Sequence, residues 1–131
     1  MSNPFGFREL VGYEVAEWRE GYARITLALG AQHGNRMGIV HGGVYMTVLD
    51  AAMGHAATFA DDPAARKRCV TVSMTTNFLK PADGAMLIAI GLLQSVDDDI
   101  AVCRGRVVTG DGRLLMTAQA SFLYLPGRPE Q

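Results

Sequence analysis

Two stretches near the start of the chain, 11–16 and 22–29, alternate between hydrophobic and polar or small residues. This alternation predicts two β-strands, because successive side chains of a strand point to opposite faces of a sheet. Glu20-Gly21 lies between the two stretches and predicts a turn. Residues 30–38 predict a loop, and residues 1–9 predict a short irregular lead-in that can include one helical turn.

A long stretch rich in Ala, Met and Leu follows His41 and reads GGVYMTVLDAAMGHAATFA over 42–60. Its length and its helix-forming residues favour a helix rather than a strand. Asp61, Asp62 and Pro63 end the stretch, because proline cannot continue a helix. The predicted helix is apolar nearly all round, which is typical of a helix buried on all sides.

Four further strand patterns follow over 69–80, 85–96, 100–109 and 113–125, with short connections that are typical of hairpins. Residues 86–93 are apolar throughout and predict a central strand that is covered on both faces. Two strands, one buried helix and four strands predict an α+β protein whose single helix lies on one antiparallel sheet. Because one helix covers one face, the other face and the sheet edges need another cover.

The composition shows a chain that is apolar for its size. Its 131 residues match the length of one domain, which we assign to 1–131. Charged residues make up 19% of the chain, against about 25% in a typical soluble domain. A domain this small buries only about two thirds of the surface of its unfolded chain. We therefore expect apolar surface at a subunit interface or in an apolar ligand cavity.

The net charge and the cysteines exclude several classes of protein. A net charge of −1 argues against nucleic acid as a partner, since such proteins present an excess of basic residues. Cys69 and Cys103 are too few for a disulfide scaffold and lack the spacing of a metal site. We expect two reduced thiols and a cytoplasmic location. From the sequence pattern we expect no signal peptide and no membrane span.

Asp50 falls in the middle of the apolar helix. A buried carboxylate without a partner is strongly unfavourable, and ionisable groups in apolar surroundings cluster at functional sites. Asp50 is therefore a candidate catalytic carboxylate or ligand group. The alternative is that Asp50 faces a solvent groove or pairs with a structural arginine.

The start of the helix, at His41-Gly42-Gly43, lacks the Ser, Thr, Asp or Asn that usually caps the first N–H groups. Free N–H groups at a helix start carry partial positive charge and can receive a carbonyl oxygen or an oxyanion. The alternative, which this pattern leaves equally open, is that the two glycines only permit a tight turn.

The rise of an α-helix places the two candidate features, Asp50 and the helix start, far apart within one chain. Asp50 lies eight residues past Gly42, which is about 12 Å along a helix. A catalytic base must lie within about 3 Å of its target or act through one water. If both features are catalytic, two antiparallel helices from two chains are needed to bring them to one reacting centre.

The stretches NRMGIVHGGVYMTVLDAA (35–52) and VTVSMTTNFLKPA (70–82) resemble the hotdog-fold acyl-CoA thioesterases, and in particular the PaaI-like group of the phenylacetate pathway. The family pattern appears as Asn35, Gly38, His41-Gly42-Gly43 and Asp50. The resemblance implies a hotdog fold, which is a curved antiparallel sheet wrapped around one long central helix. It also implies homodimers joined edge to edge, often paired into tetramers, with the sites at the dimer interface.

The resemblance also implies roles for the site residues. Asp50 of one subunit is the general base or the nucleophile, and the Gly42 N–H of the other subunit polarises the thioester carbonyl. Asn35 helps to place the carbonyl or the water, and His41 organises the loop. Thr71 falls where relatives carry a Ser or Thr that holds the nucleophilic water or the carboxylate. We expect no metal and no cofactor beyond the coenzyme A of the substrate.

Five residues are candidates for substrate binding: Gly43, Arg66, Lys67, Arg68 and Lys80. The four basic ones can hold the phosphates of coenzyme A, although a charge run is also typical of a solvated loop. We expect His33 to be a solvated loop residue and His55 to be a core or interface residue.

Together these features predict a thioesterase that hydrolyses an aromatic or medium-chain acyl-CoA to the free acid and CoA. Two alternatives remain open. One is a hotdog hydratase or dehydratase that uses Asp50 and His55 as an acid/base pair, and the other is a non-catalytic acyl-CoA binding module. A lipase-type serine hydrolase is excluded, because the chain has no G-x-S-x-G nucleophile motif.

Overall fold

A computed structural model describes residues 6–82 and 84–127 of the chain. Two helices and six strands follow in this order: α1 (Gly6–Val11), β1 (Glu14–Arg19), β2 (Tyr22–Ala28), α2 (Gly42–Thr58), β3 (Cys69–Phe78), β4 (Met86–Asp97), β5 (Ile100–Val108) and β6 (Leu114–Tyr124). Short 3₁₀ turns at Ala31–His33 and Pro63–Ala65 lie before and after α2.

The six strands form one antiparallel sheet in the order β1-β2-β4-β5-β6-β3. Neighbouring strands pair antiparallel throughout, and β4, β5 and β6 form a continuous meander. The segment between β2 and β4 carries α2 over one face of the sheet and places β3 at the far edge. A curved antiparallel sheet around one long helix confirms the predicted α+β hotdog fold.

The core lies between α2 and the inner face of the sheet. Val48, Leu49, Ala52, Met53 and Ala56 form the buried stripe of α2. Their spacing of three, four and one residues is that of one helix face. Alternate residues of the strands pack against this stripe, among them Ile25, Leu27, Leu87, Ala89, Cys103, Val107, Met116 and Phe122.

Gly91 of β4 lies where the sheet meets the backbone of α2. A Cβ built on Gly91 would overlap the carbonyl group of Ala52. Backbone atoms cannot rotate away as the end of a side chain can, so glycine is required for this close approach.

The outer face of the sheet carries many polar side chains. β4 is central, as predicted, and its outward residues Ile88, Ile90 and Leu92 are half-buried. The cross-strand neighbours of Ile90 are Arg24 and Arg106. The sequence analysis expected that the face without the helix needs another cover. Neighbouring side chains of the sheet itself provide part of this cover.

Several predicted element boundaries were wrong by a few residues. Val11, which was predicted to start the first strand, ends α1, and Gly12 follows it with a φ of 94°. Glycine adopts this left-handed conformation readily, which ends the helix and directs the chain into β1. α2 ends at Thr58 rather than at residue 60, because Phe59 has extended backbone angles.

His33 was predicted to be solvated, and this was wrong, since it is only 3% exposed. The Gly30 N–H donates to its Nδ1 (2.9 Å), so its Nε2–H donates to the Val11 carbonyl (2.7 Å). The buried ring therefore ties the 31–33 turn to the end of α1.

We expect Gly91→Ala to lower the free energy of unfolding by about 1–3 kcal/mol, because α2 or β4 must move to admit the new methyl group. Urea unfolding measures this change. Gly110→Ala is the matched control, since its Cβ meets nothing within 4 Å. Equal stability of the two variants would contradict the close approach of α2 to the sheet.

Candidate active site

Asp50 lies half-buried on α2, and the Thr71 hydroxyl of β3 donates a 2.6 Å hydrogen bond to its Oδ1. Within the described ranges, no arginine pairs with this carboxylate, and Oδ2 accepts no hydrogen bond. The structure thus brings together two of the predicted site residues, Asp50 and Thr71, and a hydrogen bond fixes one of the two carboxylate oxygens. The second oxygen remains able to accept a proton or to attack a carbonyl carbon.

The negative charge of Asp50 helps to raise the pKa of both Cys69 and Tyr13. Burial raises the pKa of the Cys69 thiol to about 11, and the charge of Asp50 adds to this effect. Burial also raises the pKa of Tyr13, with Arg8 opposing the shift and Asp50 adding to it. Both groups therefore keep their protons at neutral pH. The thiolate is the reactive form of cysteine, so Cys69 is unsuited to act as a nucleophile here.

His41 caps the start of α2 with its own side chain. Its Nδ1 accepts a 2.8 Å hydrogen bond from the Gly43 N–H. The prediction that the first N–H groups lack a cap was therefore wrong for Gly43. Histidine is not one of the usual capping residues, but its ring nitrogen serves as the acceptor here. A Cβ on Gly43 would lie only 3.1 Å from that Nδ1, so glycine makes room for the cap.

The Gly42 N–H, by contrast, has no acceptor among the described residues. A Cβ on Gly42 would lie 3.6 Å from the nearest Phe78 ring atom, which is ordinary contact. The fold therefore does not require glycine at residue 42. A free N–H with no side chain beside it can receive the oxygen of a ligand.

A cleft of about 320 Å³ opens beside Gly42. Asn35, Gly42 and Lys80, all predicted from the sequence, line it together with Tyr45 and Phe78. The ring of Tyr45 meets that of Phe78 edge to face at 5.7 Å, and its hydroxyl accepts a 2.8 Å bond from the Ala82 N–H. The sequence analysis missed both aromatic residues, although Tyr45 lies one helical turn past Gly42.

The side chain of Asn35 shapes the loop in front of the cleft. Its Oδ1 accepts hydrogen bonds from the N–H groups of Met37 (2.8 Å) and Ile39 (3.4 Å). Its Nδ2 has no acceptor among the described residues. The amide therefore still offers a donor for a carbonyl oxygen or a water molecule.

The predicted basic triplet lies far from this cleft within one chain. Arg66 donates to the Ala60 carbonyl (2.9 Å) and stacks over Trp18 at 4.3 Å, while Arg68 donates to the Pro126 carbonyl (3.2 Å). Lys67 lies 4.3 Å from the centre of the Tyr124 ring. These residues precede β3, whereas Lys80 follows it, so about 30–40 Å of extended chain separates them.

His55 packs near the end of α2, as the core or interface residue that the sequence predicted. Its ring meets Trp18 edge to face at 4.8 Å, and the Trp18 Nε1–H donates to the His55 carbonyl (2.7 Å). Burial lowers the pKa of His55; the hydrogen bond to the Ala51 carbonyl opposes this shift, and the nearby Arg8 adds to it. The folded chain therefore favours the neutral ring.

Across residues 6–82 and 84–127, no three His, Cys, Asp or Glu side chains group closely enough to hold a metal ion. No helix in the same ranges is long and apolar enough to cross a membrane.

Residues 37–116 match the family described as the thioesterase superfamily. The chain belongs to the thioesterase superfamily. The matched range contains Asp50, Thr71 and the glycines at the start of α2, and Asn35 lies just outside it. The family resemblance inferred from the sequence is thus confirmed. No curated protein sequence matches the chain.

Solved structures share the fold along nearly the whole chain. The E. coli PaaI protein from the phenylacetic acid degradation operon is 19% identical, with a TM-score of 0.84 over 95% of this chain and 87% of that one. Conserved protein PA5202 from Pseudomonas aeruginosa is 23% identical, with a TM-score of 0.81 over 95% and 96%. The BH2602 protein from Bacillus halodurans, solved with CoA, is 27% identical, with a TM-score of 0.81 over 98% and 83%.

We expect folding stability to fall as the pH drops below about 6.5, the ordinary pKa of histidine. Since the pKa of His55 is lower in the folded chain, the unfolded chain binds the proton more readily, and stability is lost as the pH falls through the folded-state pKa. Urea unfolding at pH 7.5 and pH 5.5 measures the loss. His55→Phe should make stability depend less on pH between these two values. The same pH dependence in this variant as in the wild type would contradict the role of His55.

Proposed function

We propose that this chain is an acyl-CoA thioesterase that hydrolyses an aromatic or medium-chain acyl-CoA to the free acid and CoA. The observation that carries the proposal is the hydrogen bond from Thr71 to Asp50, which holds one carboxylate oxygen and leaves the other available. Membership of the thioesterase superfamily supports the same reaction.

The site consists of two half-sites on each chain. One contains Asp50 and Thr71, and the other contains Gly42, Asn35 and the cleft beside them. About 12 Å of helix separates the Gly42 N–H from Asp50, so one chain cannot apply both to one carbonyl group. Two chains related by a twofold axis complete two sites, each with one half-site from each chain.

The two half-sites divide the chemistry between them. The Gly42 N–H, helped by the Asn35 amide, stabilises the negative charge that develops on the thioester oxygen. Asp50 then either removes a proton from an attacking water or attacks the carbonyl carbon to form an anhydride, which water hydrolyses. The carbon–sulfur bond breaks, and CoA leaves as the thiolate. Thr71 keeps the carboxylate oriented in either route.

Two recesses beside the start of α2 are suited to the substrate. A groove of about 500 Å³ on the α1 side is lined mainly by apolar residues, among them Phe7, Leu10 and Val44. An aromatic or medium-chain acyl group fits a groove of this size and character. Lys80 lines the cleft beside Gly42 and provides a cation for the coenzyme A phosphates.

The contacts of the triplet Arg66, Lys67 and Arg68 within their own chain make Lys80 the better candidate for the phosphates. CoA in the structure of the Bacillus halodurans protein supports a ligand of this class. We further propose that the chain works as a homodimer or a dimer of dimers in the cytoplasm, without a metal or a separate cofactor.

The hydratase alternative needs Asp50 and His55 to act as a pair. Nδ1 of His55 is engaged by the Ala51 carbonyl, and its ring packs against Trp18. No hydrogen bond or ion pair joins Asp50 and His55 in the ranges that the structure describes. The geometry therefore favours hydrolysis.

We expect Asp50→Asn to lower kcat for thiol release at least about 100-fold while the affinity for an acyl-CoA stays within about threefold, because the amide keeps the shape but not the base. Thr71→Val should lower kcat about tenfold, because the variant loses one hydrogen bond to a charged group. Thiol release across a panel of acyl-CoA esters measures both. Full activity of Asp50→Asn would contradict the proposed mechanism, and hydration of enoyl-CoA without hydrolysis would favour the hydratase.

A mixture of inactive Asp50→Asn and inactive Asn35→Ala chains should regain about a quarter of the wild-type activity. Half of the randomly mixed dimers are heterodimers, and each of these has one intact site of two. Thiol release after re-dimerisation measures the recovery, and each variant alone is the control. Verified heterodimers without activity would show that each site lies within one chain.

A further inference from the structure

The loop before α2 closes on itself. Gly34 and Val40 pair as an isolated antiparallel bridge. One residue further out on each side, the His41 N–H donates a 2.8 Å hydrogen bond to the His33 carbonyl. The 34–40 loop is therefore a structural unit, and the two histidines form its base.

The side chain of His33 joins this base to two other parts of the chain. Its ring is almost completely buried, and both ring nitrogens bond to backbone groups. Nδ1 accepts from the Gly30 N–H, and Nε2–H donates to the Val11 carbonyl. Gly30 lies just past the end of β2, and Val11 is the last residue of α1. The position of the loop base relative to β2 and α1 therefore depends on one buried ring.

Both hydrogen-bond donors of the Gly42 half-site lie next to this base. Asn35 is two residues past His33, and Gly42 directly follows His41. A shift of the base relative to the rest of the chain would displace the Asn35 amide and the Gly42 N–H together. Donors of this kind stabilise a developing negative charge only where they are already aimed at it, and a misplacement of about 1 Å can slow a reaction about 100-fold.

His33 also lines the groove that the proposed function assigns to the acyl group. α1 supplies Phe7, Leu10 and Val11 to this groove, and α2 supplies Val44. The Nε2 bond of His33 holds the end of α1 at a fixed distance from the loop base. The separation of α1 from the start of α2, and with it the width of the groove, therefore depends on the same ring.

We propose that His33 is a positioning residue for acyl-CoA hydrolysis, a role that rests on the proposed function. Its Nδ1 bond keeps the loop base where the Asn35 amide and the Gly42 N–H reach the thioester oxygen. Its Nε2 bond keeps α1 where the groove fits the acyl group. His33 touches no reacting atom, so it acts on the reaction only through these two contacts.

The variant His33→Leu removes both contacts and leaves an apolar side chain. In chains that circular dichroism shows to be folded, we expect kcat for the best substrate of an acyl-CoA panel to fall at least about tenfold, because both donors are displaced. Thr109→Val is the matched control. Thr109 is equally buried, at 3% exposed, and its hydroxyl accepts from the Arg113 N–H (2.9 Å) in the turn between β5 and β6.

The control should keep the kcat and KM of the wild type, since it changes a buried hydrogen bond outside both half-sites. An equal fall of kcat in the two variants, or no fall in His33→Leu, would show that the ring only stabilises the fold and would overturn the proposal.

Two conservative variants separate the two ring contacts and serve also if His33→Leu does not fold. His33→Asn places an amide oxygen near the position of Nδ1, where it accepts from the Gly30 N–H. His33→Gln places an amide nitrogen near the position of Nε2, where it donates to the Val11 carbonyl. We expect His33→Asn to have the higher kcat, by about tenfold. The ratio of kcat/KM for octanoyl-CoA over butanoyl-CoA should stay closer to that of the wild type in His33→Gln, by about tenfold. The reverse order, or equal values in the two variants, would overturn the proposal.

Amide hydrogen exchange tests the contacts without the reaction. The Gly30 and His41 amides should exchange faster in His33→Leu than in the wild type, since both donate hydrogen bonds at the loop base, and Thr109→Val should leave both unchanged. Unchanged exchange in His33→Leu would overturn the proposal. A wild type that hydrolyses no acyl-CoA would contradict the proposed function itself. An active wild type with the same kcat in His33→Leu would overturn the role of His33 alone.

Discussion

The rigidity of α2 fixes the separation of the two groups on which the proposed chemistry depends. The Gly42 N–H lies at the start of this helix, and Asp50 lies about two turns further along. Neither helix bending nor side-chain rotation closes a gap of about 12 Å to one carbonyl group. The proposed second copy, the proposed antiparallel arrangement of the two helices and the proposed division into half-sites all depend on this distance.

The sheet holds α2 in place and leaves its other side open. Small residues allow the close packing, since Gly91 admits the backbone of α2 and Ala52 presents no bulk to the sheet. Gly43, Thr47 and Asp50 are only half-buried on the opposite side of the helix. The apolar excess of the composition is therefore divided between a dense core and exposed positions, many of which lie on α1, β3 and the loop before α2.

The sequence predicted the site unevenly, according to how local each interaction is. Asp50 stands out as a carboxylate in an apolar helix, and Gly42 stands out at a helix start without one of the usual capping residues. Thr71 came only from the family resemblance, since the sequence does not show that a strand 21 residues away reaches the carboxylate. Phe78 and Tyr45 have ordinary apolar character, so no sequence signal marks them as the wall of a cleft.

The sequence by itself determined the order of strands and helix, the position of a carboxylate in an apolar helix and the distance from that carboxylate to the helix start. These features depend on periodicity and helix rise, which are local. The tertiary structure decided which groups remain free. The Gly43 N–H donates to the His41 side chain, whereas the Gly42 N–H has no acceptor in the part of the chain that the structure describes. His33 is buried and hydrogen-bonds to the Val11 carbonyl, and the Arg66 guanidinium stacks over the Trp18 ring. Such contacts join residues distant in sequence, and only the packed chain brings them together.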